Sequence, residues 1–435
     1  MTLRKFLFEN EAVHGINSPS DYTYLKLLRF MLMVVSAWPQ KEIGETNIVF
    51  YQKSLLKYCY LILTIFSLYG SVAFIVQHWI ELDFLELGHM YIVVLMTAVD
   101  FSRITTLTFN PEYRELAKVF LTKFHLFYYK DRSEYAMKTH RMVHLVSHLF
   151  TLFLVGQMMA GLSLFNLIPM YNNYAAGRYS RGGLQNATFE HSLYFAYPFD
   201  FRTNVNGYIV TCIIHWIISY LCSTWFCIFD LILSLMVFNL WGHFKVLVDM
   251  LDNFPRPSSN SNLILSNSSG SVLQAEKYSK EELKQVFERL KECILYHREI
   301  LHFTNTMSDV FGPMLFVYYM FHQASGCLLL LECSQMTTAA LMRYVPLTII
   351  LTQQLIQLSV IFELVGSESE KLKDAVYGLP WESMDCSNRR IVTIFLMNVQ
   401  EPVHVKALGL ANVGVTTMAA ILKTSMSYFT FLRSM

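Results

Sequence analysis

Apolar runs long enough to cross a bilayer recur along this chain, and nothing else in it limits the fold so strongly. A helix rises 1.5 Å per residue, so about 20 apolar residues cross the hydrocarbon layer. Six stretches meet that length: 55–76, 87–109, 143–168, 205–240, 303–331 and 344–365. A seventh is interrupted. Its short apolar piece 391–399 is stopped by Pro402, and a long run, 407–432, follows. The expected fold is an all-α membrane protein of seven transmembrane helices with a split seventh helix.

Composition agrees. The 435 residues are 54% hydrophobic, with 33 Phe and 25 Tyr, and only 15% are charged, against about 25% in soluble domains. A net charge of +1 speaks against nucleic acid as a partner. No apolar core or small-residue cleavage site follows the charged start, so no removable signal peptide is expected. The eight cysteines sit in apolar runs or charged segments, none in the loop 169–204, which argues against a disulfide framework. They show no metal-binding spacing, and no cofactor is expected.

Charge sets the expected orientation. Of the 34 Lys and Arg residues, 26 fall in the N-terminal segment, counted through Lys57 at the start of the first span, and in alternate connections after it. The positive-inside rule then puts the N-terminus in the cytoplasm and the C-terminus outside, the reverse of a G-protein-coupled receptor. The sequon at Asn186 falls outside, where it can be glycosylated, and the one at Asn267 inside. A broken apolar stretch, 22–38, carries Lys26 and Arg29 and reads as an interfacial or re-entrant helix. Residues 254–271 read as a flexible Pro-, Ser- and Asn-rich linker, after which Ser279 and Glu282 form a capping box.

Little in the chain suggests catalysis. No nucleophile elbow, phosphate loop or CxxC is present. His140, His144 and His148 share a helix face, which could bind a metal, but no second cluster joins them, and the polar cytosolic end of the third span is the preferred reading. Asp100 and Arg103, three apart in the second span, suggest an internal ion pair.

Two constellations suggest binding and conduction. In the outer halves of the spans, Met90, Tyr91 and Val94 lie at a depth comparable with Gln157, Met158 and Gly161. Ile209, Ile213 and Trp216 join them, as do His322, Tyr344 and Leu347. Such apolar, aromatic and Met-rich walls suit an apolar small molecule, although ordinary helix packing uses the same residues. In the last run, Thr417, Ala420, Thr424, Ser427, Phe431 and Ser434 recur at helical spacing. That stripe reads either as the wall and gate of a pore or as a close helix–helix seam.

The tail Ser427-Tyr428-Phe429-Thr430-Phe431-Leu432-Arg433-Ser434-Met435 resembles the C-terminal signature of insect chemoreceptors, Thr-Tyr, five mostly apolar residues, Gln, Phe. Ser427, Arg433, Ser434 and Met435 depart from it. Leu379-Pro380-Trp381-Glu382, Arg389-Arg390 and Gln400-Glu401-Pro402-Val403 resemble the last turn and split helix of insect odorant receptors. The stretch 419–425, Ala-Ala-Ile-Leu-Lys-Thr-Ser, is similar to the moth pheromone-receptor branch.

The resemblance implies a four-subunit, ligand-gated cation channel that pairs this chain with the odorant co-receptor in the plasma membrane of olfactory neurons. It implies a volatile lipophilic ligand: for the pheromone branch, a long unbranched alcohol, acetate or aldehyde. Residues 1–54 would be a cytoplasmic segment, 55–240 the first four spans with the pocket, and 241–302 a linker and assembly helix. Residues 303–366 would hold the fifth and sixth spans, 367–400 an assembly piece, and 401–435 the pore helix. Phe431 and Met435 would take apolar gate positions and Ser434 the polar pore position. A homotetrameric gustatory-type receptor and a histidine-dependent membrane enzyme are the alternatives.

Overall fold

Helices outrun the apolar stretches that specify them, because amphipathic segments continue past the membrane. The computed structural model describes residues 16–44, 55–80, 84–179, 188–258, 262–266, 272–334 and 338–434; Asn186, Asn267 and Met435 lie outside these. Helix α1 (Thr23–Val34) precedes α2 (Leu55–His78), α3 (Phe84–Ile104), α4 (Pro111–Val119), α5 (Glu134–Ala175) and α6 (Val205–Asp252). An antiparallel hairpin of β1 (Asn262–Ser266) and β2 (Val272–Glu276) leads to α7 (Lys280–Cys333) and α8 (Thr338–Tyr377). Then come α9 (Cys386–Asn398), a hairpin of β3 (Lys406–Ala407) and β4 (Ala411–Asn412), and α10 (Val415–Ser434).

Among the described residues six helices, α2, α3 and α5–α8, are long and apolar enough to cross a bilayer. The 20-residue α10 has spanning length as well. Helix α6 is the central post: its residues from Thr224 to Leu240 are buried throughout, and it packs on α3, α5, α7 and α8. Side chains at the outer faces are large and apolar, as Ile62, Val76, Leu164 and Ile349 show, which suits contact with acyl chains.

Local chemistry explains where helices begin. Ser133 caps α5 by accepting from the Ala136 N–H at 3.0 Å. The capping box that opens α7 is complete: Ser279 Oγ accepts from Glu282 N, and Glu282 Oε2 accepts from Ser279 N.

Five expectations need correction. Pro169 does not end the third span; α5 runs through it to Ala175. Freed backbone groups in a bundle can be satisfied by neighbouring elements, so a proline need not stop a spanning helix. The extra turn is tied down by Asn173, which accepts from Glu190 N and donates to Glu190 O and Tyr208 OH. The 22–38 stretch is more than a surface helix, since α1 buries Tyr24, Leu25, Leu28 and Leu32 against α5 and α6. The 254–271 linker contains β1. The final helix starts at Val415, eight residues later than the apolar run, because Leu408 and Gly409 adopt left-handed φ values of 51° and 69° in the β3–β4 turn. Lys406 therefore lies on a strand rather than in the final helix.

The fifth concerns Arg103. Its guanidinium reaches across to Asp230 on α6 at 3.3 Å and lies 3.8 Å over the Phe226 ring. Asp100 instead meets the Cys222 thiol. A three-residue spacing on one helix cannot reveal a carboxylate brought in by another.

Candidate functional site

Helices α2, α3, α5, α6 and α8 splay around a cavity of about 220 Å³. Its wall is mostly apolar and aromatic, with Val93, Met96, Leu154, Phe165, Trp225 and Phe226 among the lining side chains. Thr64, Ser67, Asp100, Gln157, Ser219 and Gln354 add polar points. Gly161 opens onto this space, and a Cβ built there would meet nothing within 4 Å.

Residues 188–204 close one end. Phe189, His191, Leu193 and Phe195 are all buried, so this irregular segment is folded into the bundle. Ala196 N donates to Gly70 O at 3.1 Å, and a Cβ at Gly70 would lie 3.3 Å from the Phe195 Cβ. Glycine lets the segment sit directly on the α2 backbone. Leu193 reaches the cavity itself. His191 Nε2 hydrogen-bonds Phe201 O at 3.1 Å. Burial lowers the His191 pKa to about 4 against the pull of that carbonyl, with Arg202 lowering it further.

The sequence-derived pocket residues divide. Gln157, Met158, Gly161 and Leu347 come together on the cavity wall. Met90 is buried in a separate cluster with Phe74 and Phe201, and Tyr91 and Val94 pack against that cluster. Ile209, Ile213 and Trp216 line a second, more open cleft of about 770 Å³ beside Tyr171 and Tyr208. His322 is enclosed by the Tyr318 and Phe321 rings, and Tyr344 is buried beside Phe321. Sequence reasoning missed the contributions of α2, with Tyr60, Leu63, Thr64 and Ser67, and of the folded-in loop.

From Ala420 to Phe431 the stripe on α10 is exposed, whereas Thr417 is half-buried and donates its hydroxyl to Asn412 O. The helix buries Ile421 and Ser425, and Ser425 Oγ packs against Gln323 and the Gly326 gap on α7. Thr424, Ser427 and Phe431 are exposed, so the seam alternative does not hold within one subunit. The hydroxyls of Thr424 and Ser427 bond the carbonyls of Ala420 and Lys423 in their own helix. Ser434 ends α10. At the other end, Glu363 on α8 accepts from Val415 N at 3.0 Å and caps α10.

Elsewhere, the row of histidines faces α1. Tyr22 OH bonds His140 Nε2 at 2.9 Å, the Tyr22 ring lies 4.5 Å from His144, and the His144 and His148 rings stack. All eight cysteines are free thiols.

A polytopic helical membrane protein with a partly open, mainly apolar cavity is thus defined by its fold. The model of the 7tm odorant receptor family matches residues 83–426, and the chain belongs to that family, one of receptors rather than enzymes. It is 26% identical over 248 residues to Odorant receptor 67a of Drosophila melanogaster, covering 55% of this chain and 52% of that one. It is 27% identical over 161 residues to Odorant receptor 13a of the same species, covering 34% and 38%. The matches therefore span about half or less of these curated relatives. The fold is similar to that of the insect olfactory receptor OR5 from Machilis hrabei, solved in complex with eugenol. The TM-score is 0.74 at 12% identity, over 94% of this chain and 97% of that one.

Proposed function

We propose that the chain is the ligand-binding subunit of an odorant-gated cation channel, opened when a volatile lipophilic molecule enters the α2–α3–α5–α6–α8 cavity. The observation that carries this reading is the pairing of a mostly apolar cavity with an exposed hydroxylated face on α10. The ligand is a long unbranched alcohol, acetate or aldehyde. The partner is the odorant co-receptor in a four-subunit assembly, in the plasma membrane of olfactory neurons with the N-terminus cytoplasmic. Within the cavity Gln157, Met158, Gly161 and Leu347 contact the ligand; Thr424, Ser427, Phe431, Ser434 and Met435 line the pore and gate.

Opening is a population shift. The ligand moves the gate only by its difference in affinity between closed and open states. Helix α8 is the connecting rod: Leu347 faces the cavity, and Glu363, 16 residues and roughly 24 Å along the same helix, holds the start of α10. A ligand that pushes α8 outward carries the α10 cap with it.

Recording currents from cells expressing the chain with and without the co-receptor, against fatty alcohols, acetates and aldehydes, tests the proposal. Ligand-evoked cation current that needs both subunits is expected. Current from this chain alone would point to a homotetramer. Silence of the pair toward every ligand, with both at the surface, would contradict the reading.

A further inference from the structure

The cavity wall is electrostatically one-sided. Among the described residues no Lys, Arg or His lines it, whereas Asp100 and Asp230 do. Asp230 is engaged by Arg103, whose guanidinium is held in the Phe226, Phe229 and Tyr318 rings. Asp100 feels the Arg103 charge, but the hydrogen bond of that guanidinium goes to Asp230. Asp100 is only 5% exposed, its side chain meets the Cys222 thiol, and Oδ1 has no hydrogen-bond partner in the protein. A buried acceptor left unmatched is costly, and native interiors rarely keep one without a use.

The neighbouring wall repeats the pattern. Gln157 Oε1 and Gln354 Oε1 also lack partners, although an amide can turn over and offer its NH₂ instead. The carboxyl group allows no such exchange with nitrogen, so Asp100 carries the argument.

We propose that Asp100 is the polar anchor of the cavity and that the ligand bears a hydrogen-bond-donating head, a hydroxyl or an amine, on an apolar body. The inference rests on the cavity being the ligand site. It sets the head group: an alcohol or amine donates to the ionised Asp100 carboxylate, while an acetate or aldehyde carries only acceptors and cannot hydrogen-bond that group. Gly161 faces open space elsewhere on the same wall, which leaves room for the apolar body.

The test uses the channel formed with the co-receptor and unbranched alcohols, amines, acetates and aldehydes of one chain length. The wild type is expected to respond to the alcohol or the amine at lower concentration than to the acetate and aldehyde. Asp100→Leu should raise the half-maximal concentration for the preferred donor by about tenfold or more, and that for acetate and aldehyde by less than about threefold, because the loss follows the head group. Asp100→Asn separates the donors: it keeps an acceptor for a hydroxyl but removes the charge that holds an ammonium group. Surface labelling accompanies each variant, and Asp100→Asn carries the test if Asp100→Leu fails to reach the surface.

Preference of the wild type for acetate or aldehyde would overturn the proposal. So would equal loss across head groups, or a wild type silent to every alcohol and amine. Gly161→Trp separates the two levels of the account. If it abolishes responses while the Asp100 variants leave head-group preference intact, only the anchor fails; if it changes nothing, the cavity reading itself fails.

Discussion

The two halves of the bundle, built on the same helices α5 and α6, are packed in opposite ways. Away from residues 188–204, Phe124 and Phe303 stack at 3.8 Å, Tyr24 OH bonds His125, and His243 bonds both Tyr296 OH and Phe124 O. A Cβ on Gly242 would lie 2.3 Å from Leu126 Cδ1 and 3.1 Å from Val143 Cγ2. Beside residues 188–204 the same pair of helices leaves Gly161 facing empty space and parts around the cavity. Close packing transmits strain, whereas a void forfeits contacts that a guest can restore. One half is thus suited to rigid assembly and the other to holding a ligand.

The largest break in this comparison should come from Gly242→Leu. Its branched side chain has no room, and overpacking of a tight core costs about 1–3 kcal/mol or more. Loss of surface expression, measured by surface labelling, is the expected outcome; normal expression would mean the tight half is not tight. Gly161→Trp should do the reverse, reaching the surface normally while abolishing or redirecting the response to ligand. Phe431→Ala should raise basal current or alter permeation, since the ring stands at the exposed end of the α10 stripe; an unchanged channel would count against the gate.

The smallest effect concerns the segment that closes the cavity. The folded-state pKa of His191 lies at about 4, below its unfolded value. The unfolded chain therefore binds more protons between about pH 6.5 and pH 4, and stability falls as pH falls through that window. The contribution is complete above the window. Thermal unfolding of the purified protein should show this slope, and His191→Gln should flatten it; identical slopes would remove the role of burial at His191.

The spans, their order and the break at Pro402 were legible in the sequence because each rests on twenty or so consecutive residues. The helix ends were not, since Glu134–Arg141 and Gly366–Tyr377 are helical but polar. Four pocket residues came from depth alone, yet depth says nothing about rotation, so Ile209 and Ile213 fell on the outer cleft and His322 in the core. The loop after α5 carried a readable signal, the apolar side chains of Phe189, Leu193 and Phe195, masked by a preceding Tyr-, Gly- and Asn-rich stretch. The Arg103–Asp230 pair had no local signal, being 127 residues apart.

Cysteine accessibility at Ser427, with the co-receptor present, probes the account most directly. If the exposed stripe of α10 lines the ion path, a charged, water-soluble thiol reagent should modify Ser427→Cys and block ligand-evoked current, faster while ligand is applied. A Ser427→Cys channel that conducts and gates normally yet is untouched by the reagent would contradict a water-filled path along that face.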